Sequence, residues 1–169
     1  MTEIEARPLT AEAFAQFGDV LDCSGSYDML INDGLCERHH DRAALDFGPE
    51  IGDGRAGVSL FRAQPRTLPY ELRLIERHPE GSQCFIPMTQ NPFLVIVADN
   101  PGTRPLAFLT TPGQAINFHR GTWHGVLTPL NAPGDLVGLF AVIDRIGQTP
   151  NLEEHVFETP YLITRNGLP

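Results

Sequence analysis

Residues 70–87 read Tyr70-Glu-Leu-Arg-Leu-Ile-Glu-Arg-His-Pro-Glu-Gly-Ser-Gln-Cys-Phe-Ile-Pro87. Side chains alternate across a β-strand, so Leu72, Leu74, Glu76 and His78 are expected on one face. Two apolar residues followed by two polar ones mark a strand that runs through a core and ends at a site. Burying an acid and an imidazole costs free energy unless they are paired or bind something. The run Pro79-Glu-Gly-Ser82 turns the chain, and Gln83 opens a second strand with Phe85 and Pro87 in its own parity. The hairpin is thus expected to hold Glu76, His78 and Gln83 side by side in an interior.

Outward from this hairpin the chain continues in short β-prone runs. These are Val58–Arg62, Gln83–Ile86, Phe93–Ala98, Leu106–Thr110, Ala115–Phe118, His124–Leu127 and Leu136–Asp144, alongside Tyr70–Arg77 itself. Turn signals separate them at Asp53-Gly54, Asn100-Pro101-Gly102, Thr111-Pro112-Gly113 and Ala132-Pro133-Gly134. One helix is predicted near the start, where Thr10 caps it, Phe14 and Phe17 share a face, and Gly18 ends it. Fifteen prolines and sixteen glycines punctuate the rest and leave no long helical stretch. No repeat or linker divides the sequence. The expectation is one all-β domain over residues 1–169, a jelly-roll β-barrel with a short N-terminal helix, whose interior offers a small-molecule cavity.

A second polar cluster lies in Thr111-Pro-Gly-Gln-Ala-Ile-Asn-Phe-His-Arg-Gly-Thr-Trp-His-Gly125. Ala115, Asn117 and His119 share one strand parity, and the turn Arg120–Trp123 delivers His124 to the start of the next strand.

These spacings resemble the cupin superfamily, in which a His-x-His-x(3,4)-Glu hairpin and a later Pro-x-Gly-x-x-His hairpin converge on a metal. Glu76-x-His78-x4-Gln83 is similar to the first, with Glu and Gln in place of the first His and the Glu. His119-x-Gly121-x-x-His124 is similar to the second, with His in place of Pro. The resemblance implies Glu76, His78, Gln83 and His124 as ligands of a divalent ion. A closer resemblance is to the ureidoglycolate lyase family. It rests on Pro8-Leu-Thr-x-Glu12-Ala-Phe-x-x-Phe-Gly-Asp-Val20, Ile31-Asn-x-Gly34-x-x-x-Arg38-x-His40-Asp41, and Arg62-Ala-Gln-Pro65. It continues through Glu76-Arg-His-Pro79, Gly81-Ser-Gln-x-Phe85-Ile-Pro-Met88, Asn117-x-His119-Arg-x-x-Trp123-His124, and Ile143-Asp-Arg145. It implies cleavage of ureidoglycolate to glyoxylate and urea in purine (allantoin) breakdown, with nickel as the named ion and a homodimer as the assembly. The residues alone leave open another metal-dependent cupin, such as an isomerase or dioxygenase, or a non-catalytic small-molecule binder.

Such a reaction moves a proton from a hydroxyl to a departing nitrogen, and Glu76, His119 and His124 are the expected catalytic groups. A substrate carboxylate calls for a guanidinium. Arg62 is the first choice because it shares parity with Val58 and Leu60. Arg38, Gln83 and Asn117 are the other expected substrate contacts, and His40 and Asp41 are expected as a wall supplied across a dimer interface. Cys84 should point away from Gln83.

Composition narrows the partners. A net charge of −9 without a basic run excludes a nucleic-acid surface. The longest apolar runs, Phe93–Ala98 and Leu136–Ile143, are too short to cross a bilayer as helices. The start carries Glu3, Glu5 and Arg7 and lacks a secretory core. Three scattered cysteines without a Cys-x-x-Cys pair suit reduced thiols, and a cytoplasmic location is expected.

Overall fold

The computed structural model describes residues 1–48 and 54–165. Its elements are β1 (Thr2–Glu5), β2 (Arg7–Pro8), α1 (Ala11–Phe14), β3 (Gly18–Leu21), β4 (Met29–Ile31), β5 (Cys36–Arg38), β6 (Arg55–Ala63) and β7 (Tyr70–Arg77). They continue with β8 (Gln83–Pro87), β9 (Phe93–Ala98), β10 (Leu106–Leu109), β11 (Ala115–Phe118), β12 (Trp123–His124), β13 (Thr128–Pro129), β14 (Gly138–Ile146) and β15 (Glu153–Thr164). Apart from one helical turn the described residues are strand and loop, an all-β, cupin-like jelly roll.

Two sheets form the barrel. The larger runs β1-β15-β7-β12-β9-β10-β2, with β13 also on β9, and the smaller runs β3-β11-β8-β14-β6. Phe93, Val95, Val97 and Phe108 of the first pack against Phe85, Ile116, Phe118, Phe140 and Val142 of the second. The alternate residues of β9, Leu94, Ile96 and Ala98, lie in another cluster with Leu72, Ile75 and Trp123. Strand β9 is buried on both faces, which is why Phe93–Ala98 reads as an unbroken apolar run. A hairpin of β4 and β5 stands apart from both sheets.

The helix is a single turn. The Thr10 hydroxyl accepts from the Ala13 amide at 3.2 Å, and Phe14 and Phe17 are both buried. Gly18 does not end the helix; it opens β3 opposite Phe118. A Cβ there would lie 2.0 Å from the Asn117 carbonyl, so close approach of two backbones requires the glycine.

Three expectations shift. Leu72 and Ile75 share a cluster, so strict alternation along β7 holds at its Glu76 end and not at its start. The expected strand His124–Leu127 is two residues long and begins at Trp123. Val58 and Leu60 are 72% and 75% exposed, while Phe61 meets Phe85 edge-on at 6.3 Å. The odd face of β6 therefore turns inward, and Arg62 goes outward with Val58 and Leu60. On an edge strand apolar residues need not mark the core face.

Candidate metal centre

Glu76 on β7 and His124 on β12 are direct cross-strand partners. His78 follows β7 by one residue, and the chain turns there so that its ring reaches the same place. One donor atom from each of Glu76, His78 and His124 lies within 4.8 Å of the others, a spacing one metal ion can bridge. The two imidazole rings stand 5.4 Å apart at 30°, and the Phe118 ring lies flat on His124 at 4.2 Å and 7°.

Hydrogen bonds fix both tautomers. His78 Nδ1 lies 2.7 Å from the Asn151 carbonyl and His124 Nδ1 lies 3.0 Å from the Gly125 carbonyl. A carbonyl only accepts, so each Nδ1 carries the proton and each Nε2 keeps its lone pair. Both Nε2 atoms are buried without a partner. Burial lowers the His124 pKa to about 3, which the Gly125 hydrogen bond only partly opposes, so the ring is neutral at ordinary pH. Burial also raises the Glu76 pKa, with His78 pulling it down and Glu154 pushing it further up. Two imidazoles whose Nε2 atoms turn inward, beside one carboxylate, fit a divalent transition ion.

A family model described as ureidoglycolate lyase matches residues 1–164. The chain belongs to the ureidoglycolate lyase family. It is similar to the ureidoglycolate lyase of Rhodobacter capsulatus, 54% identical over 166 residues, covering 96% of this chain and 99% of that one. It is also similar to the ureidoglycolate lyases of Mesorhizobium japonicum, 49% identical, and of a Chelativorans species, 47% identical. These two alignments also cover 96% of this chain, with 98% and 97% of the relatives.

In this member of the family the smaller sheet supplies the facing wall. Gln83 is buried opposite Phe118, and its Nε2 stands 3.5 Å from Asp144 Oδ2, at the outer limit of a hydrogen bond. Gln83 Oε1 and Asp144 Oδ1 are buried without partners. Burial raises the Asp144 pKa, and the Gln83 contact and the nearby His78 draw it back. Of the four expected ligands the structure groups Glu76, His78 and His124, while Gln83 stands on the smaller sheet beside Asp144.

Other expected site residues lie elsewhere. Ile116 and Phe118 point into the barrel, so Asn117 and His119 take the opposite side. There Asn117 Nδ2 donates to Asp19 Oδ2 at 2.9 Å and to the Ala44 carbonyl at 3.2 Å, while His119 Nε2 meets Asp19 Oδ1 at 3.2 Å. Asp46 extends this outer layer: it exchanges backbone and side-chain bonds with Ser82 and takes the Arg120 guanidinium on both oxygens. Asn117 and His119 thus anchor a surface strap. The sequence expectation makes Asn117 a substrate contact and His119 a catalytic group, but the parity they share with Ala115 is the outer one.

Arg62 is exposed on edge strand β6, away from the triad. Arg38 is exposed on β5 and contacts His40 Nδ1 at 2.9 Å, while the His40 amide donates to Asp28. Among the described residues, neither arginine contacts Glu76, His78 or His124. Cys84 points away from Gln83 as expected; it is buried, and burial pushes its thiol up to about 11.

Two wall residues went unread in the sequence. Asp144 continues the inward series Phe140, Val142, and Phe118 continues Ile116, so period-two alternation carried the signal for both.

Proposed function

We propose that the chain is a ureidoglycolate lyase, cleaving ureidoglycolate to glyoxylate and urea in purine catabolism. Family membership over residues 1–164, joined to a triad whose two Nε2 lone pairs have no other partner, supports the reading. The substrate carries a hydroxyl and a ureido nitrogen on one carbon beside a carboxylate. Cleavage breaks that carbon–nitrogen bond, turns the hydroxyl into a carbonyl and moves the hydroxyl proton to nitrogen. No water is consumed, so the reaction is a carbon–nitrogen elimination.

His78 and His124 would hold a divalent ion through Nε2, and Glu76 through one carboxylate oxygen. Such an ion, when bound, would supply Lewis-acid chemistry that makes an α-hydroxyl easier to deprotonate. Nickel is the ion the family resemblance names, and the nitrogen–oxygen donor set suits it among first-row metals. Glu76 has a second oxygen, which takes the hydroxyl proton and returns it to the leaving nitrogen. A carboxylate oxygen beside the hydroxyl carries that proton between the two atoms. The flat Phe118 ring on His124 holds the imidazole in place and keeps water from that side.

The outer face of the smaller sheet supports the homodimer reading. Val58 and Leu60 stand opposite Ile143 and Ala141 there, an apolar row at an open edge. The cysteines of the chain are all free, which supports a reducing, cytoplasmic setting. Among the described residues no helix is long and apolar enough to cross a membrane.

The test is product analysis on purified metal-loaded protein. Ureidoglycolate should give glyoxylate and urea in equal amounts, and a chelator should stop it. Ammonia in place of urea would mean hydrolysis of the ureido group and would overturn the assignment.

A further inference from the structure

The unsatisfied atoms of the site divide into two kinds. His78 Nε2 and His124 Nε2 are lone pairs suited to a cation. Gln83 Oε1 and Asp144 Oδ1 are oxygen acceptors, buried and unpartnered, on the opposite wall. Register puts them side by side. Val142 and Ile143 of β14 pair with Phe85 and Cys84 of β8, so the next inward position on β14, Asp144, comes beside Gln83. Gln83 in turn pairs with Phe118, whose ring covers His124. The inner face of the smaller sheet therefore presents Asp144, Gln83 and Phe118 in a row toward the triad.

Buried acceptors require donors, and leaving them unmet costs free energy. If the proposed reaction is right, the substrate has one donor-rich part. Its carboxylate has no N–H or O–H, and its hydroxyl gives up the only proton it has. Its ureido group carries three N–H bonds, two of them on the terminal nitrogen. We propose that Asp144, with Gln83 beside it, is the ureido receptor: the Asp144 carboxylate accepts N–H bonds of the urea moiety and Gln83 Oε1 accepts another. This rests on the lyase reading and deepens it. The site then has two ends, a metal end for the α-hydroxy acid and an acceptor end for urea, and Asp144 is a binding and specificity residue without a part in proton transfer. An analogue whose leaving group lacks N–H donors would leave two buried acceptors empty, and a site built that way rejects such analogues strongly.

The experiment compares the two products as inhibitors. Urea should compete at the acceptor end and glyoxylate at the metal end. In Asp144→Asn the urea inhibition constant should rise about tenfold or more, because a charge-assisted acceptor is lost and an amide donor introduced. The glyoxylate constant should change less than about twofold, and the bound metal per chain should stay the same. Equal weakening of both products, or loss of metal, would assign Asp144 to the metal end and overturn the proposal. A second arm uses the unaltered enzyme and does not depend on a variant folding. Tetramethylurea, which has no N–H, should inhibit far less than urea, and equal inhibition would overturn the proposal. Binding of carbon-13 urea followed by NMR needs no turnover. Asp144-dependent urea binding without cleavage would refute the lyase reading alone, whereas cleavage with Asp144-independent urea binding would refute the receptor alone.

Discussion

Glu76 and His124 face each other directly across β7 and β12, on strands that belong to different parts of the sequence. The pairing sets a carboxylate against an imidazole whose proton is committed to the Gly125 carbonyl. Because β12 is bonded on both sides, to β7 and to β9, His124 cannot drift without breaking ladder bonds. The centre is built on sheet rather than loop, which favours a fixed geometry.

The depressed His124 pKa makes a pH prediction for the metal-free protein. The folded pKa, about 3, lies below the unfolded value of 6.5. Between these values the unfolded chain binds the extra proton, so stability is full above pH 6.5 and falls as pH drops toward 3. Glu76 and Asp144 have raised pKa values and act in the opposite sense, binding protons in the folded state as acid is added. Denaturant titrations from pH 7.5 to 5.5 should show falling stability, and His124→Gln should flatten the slope. A slope unchanged in the variant would place the titration elsewhere.

Asn117 is predicted to matter for stability rather than for substrate. Asn117→Ala removes the donor to Asp19 and Ala44 at a buried position, which should cost about 1–3 kcal/mol. Metal stoichiometry and the Michaelis constant should hold. Thermal melts and steady-state kinetics on the one variant check both halves.

How far the sequence led can be judged at particular residues. The hairpin spacing from Glu76 to Gln83 and the turn before His124 were legible, because strand parity and turn residues are local properties. The long strand Glu153–Thr164 was not, since its acidic start, its Pro160 and its half-exposed residues hide a strand pattern. The short strands β1 to β5 carry too few residues to show alternation at all. Arg62 and Asn117 failed for one shared reason. Parity says which residues share a face, and only packing says which face is inner. Asp144 was missed although its strand was read to that residue, because a carboxylate at a strand end looks like a solvated cap until the facing sheet is in place.

Assembly can be tested at the edge strand. Leu60→Glu puts a charge into the exposed apolar row on the outer face of β6, where a partner subunit would pack. Sedimentation at micromolar concentration should show a dimer for the unaltered chain and a shift toward monomer for the variant. A monomer in both cases would remove the dimer from the account.

His78 and Glu76 should prove separable. His78→Ala takes away one of two imidazole donors and should weaken metal affinity by about tenfold to a hundredfold, so activity returns in part when metal is added in excess. Glu76→Gln keeps an oxygen near the ion but cannot carry a proton. It should retain more metal than His78→Ala and yet stay inactive at saturating metal. Metal analysis beside initial rates distinguishes the two, and full recovery of Glu76→Gln by metal would deny Glu76 its proton-transfer role.

The most direct measurement is the rate of glyoxylate release from ureidoglycolate by the metal-loaded chain and by its His124→Ala variant, with folding of the variant checked by circular dichroism. The account predicts glyoxylate and urea in equal amounts from the unaltered chain, and a fall of about a hundredfold or more in the folded variant. A His124→Ala enzyme that releases glyoxylate at the unaltered rate would contradict it.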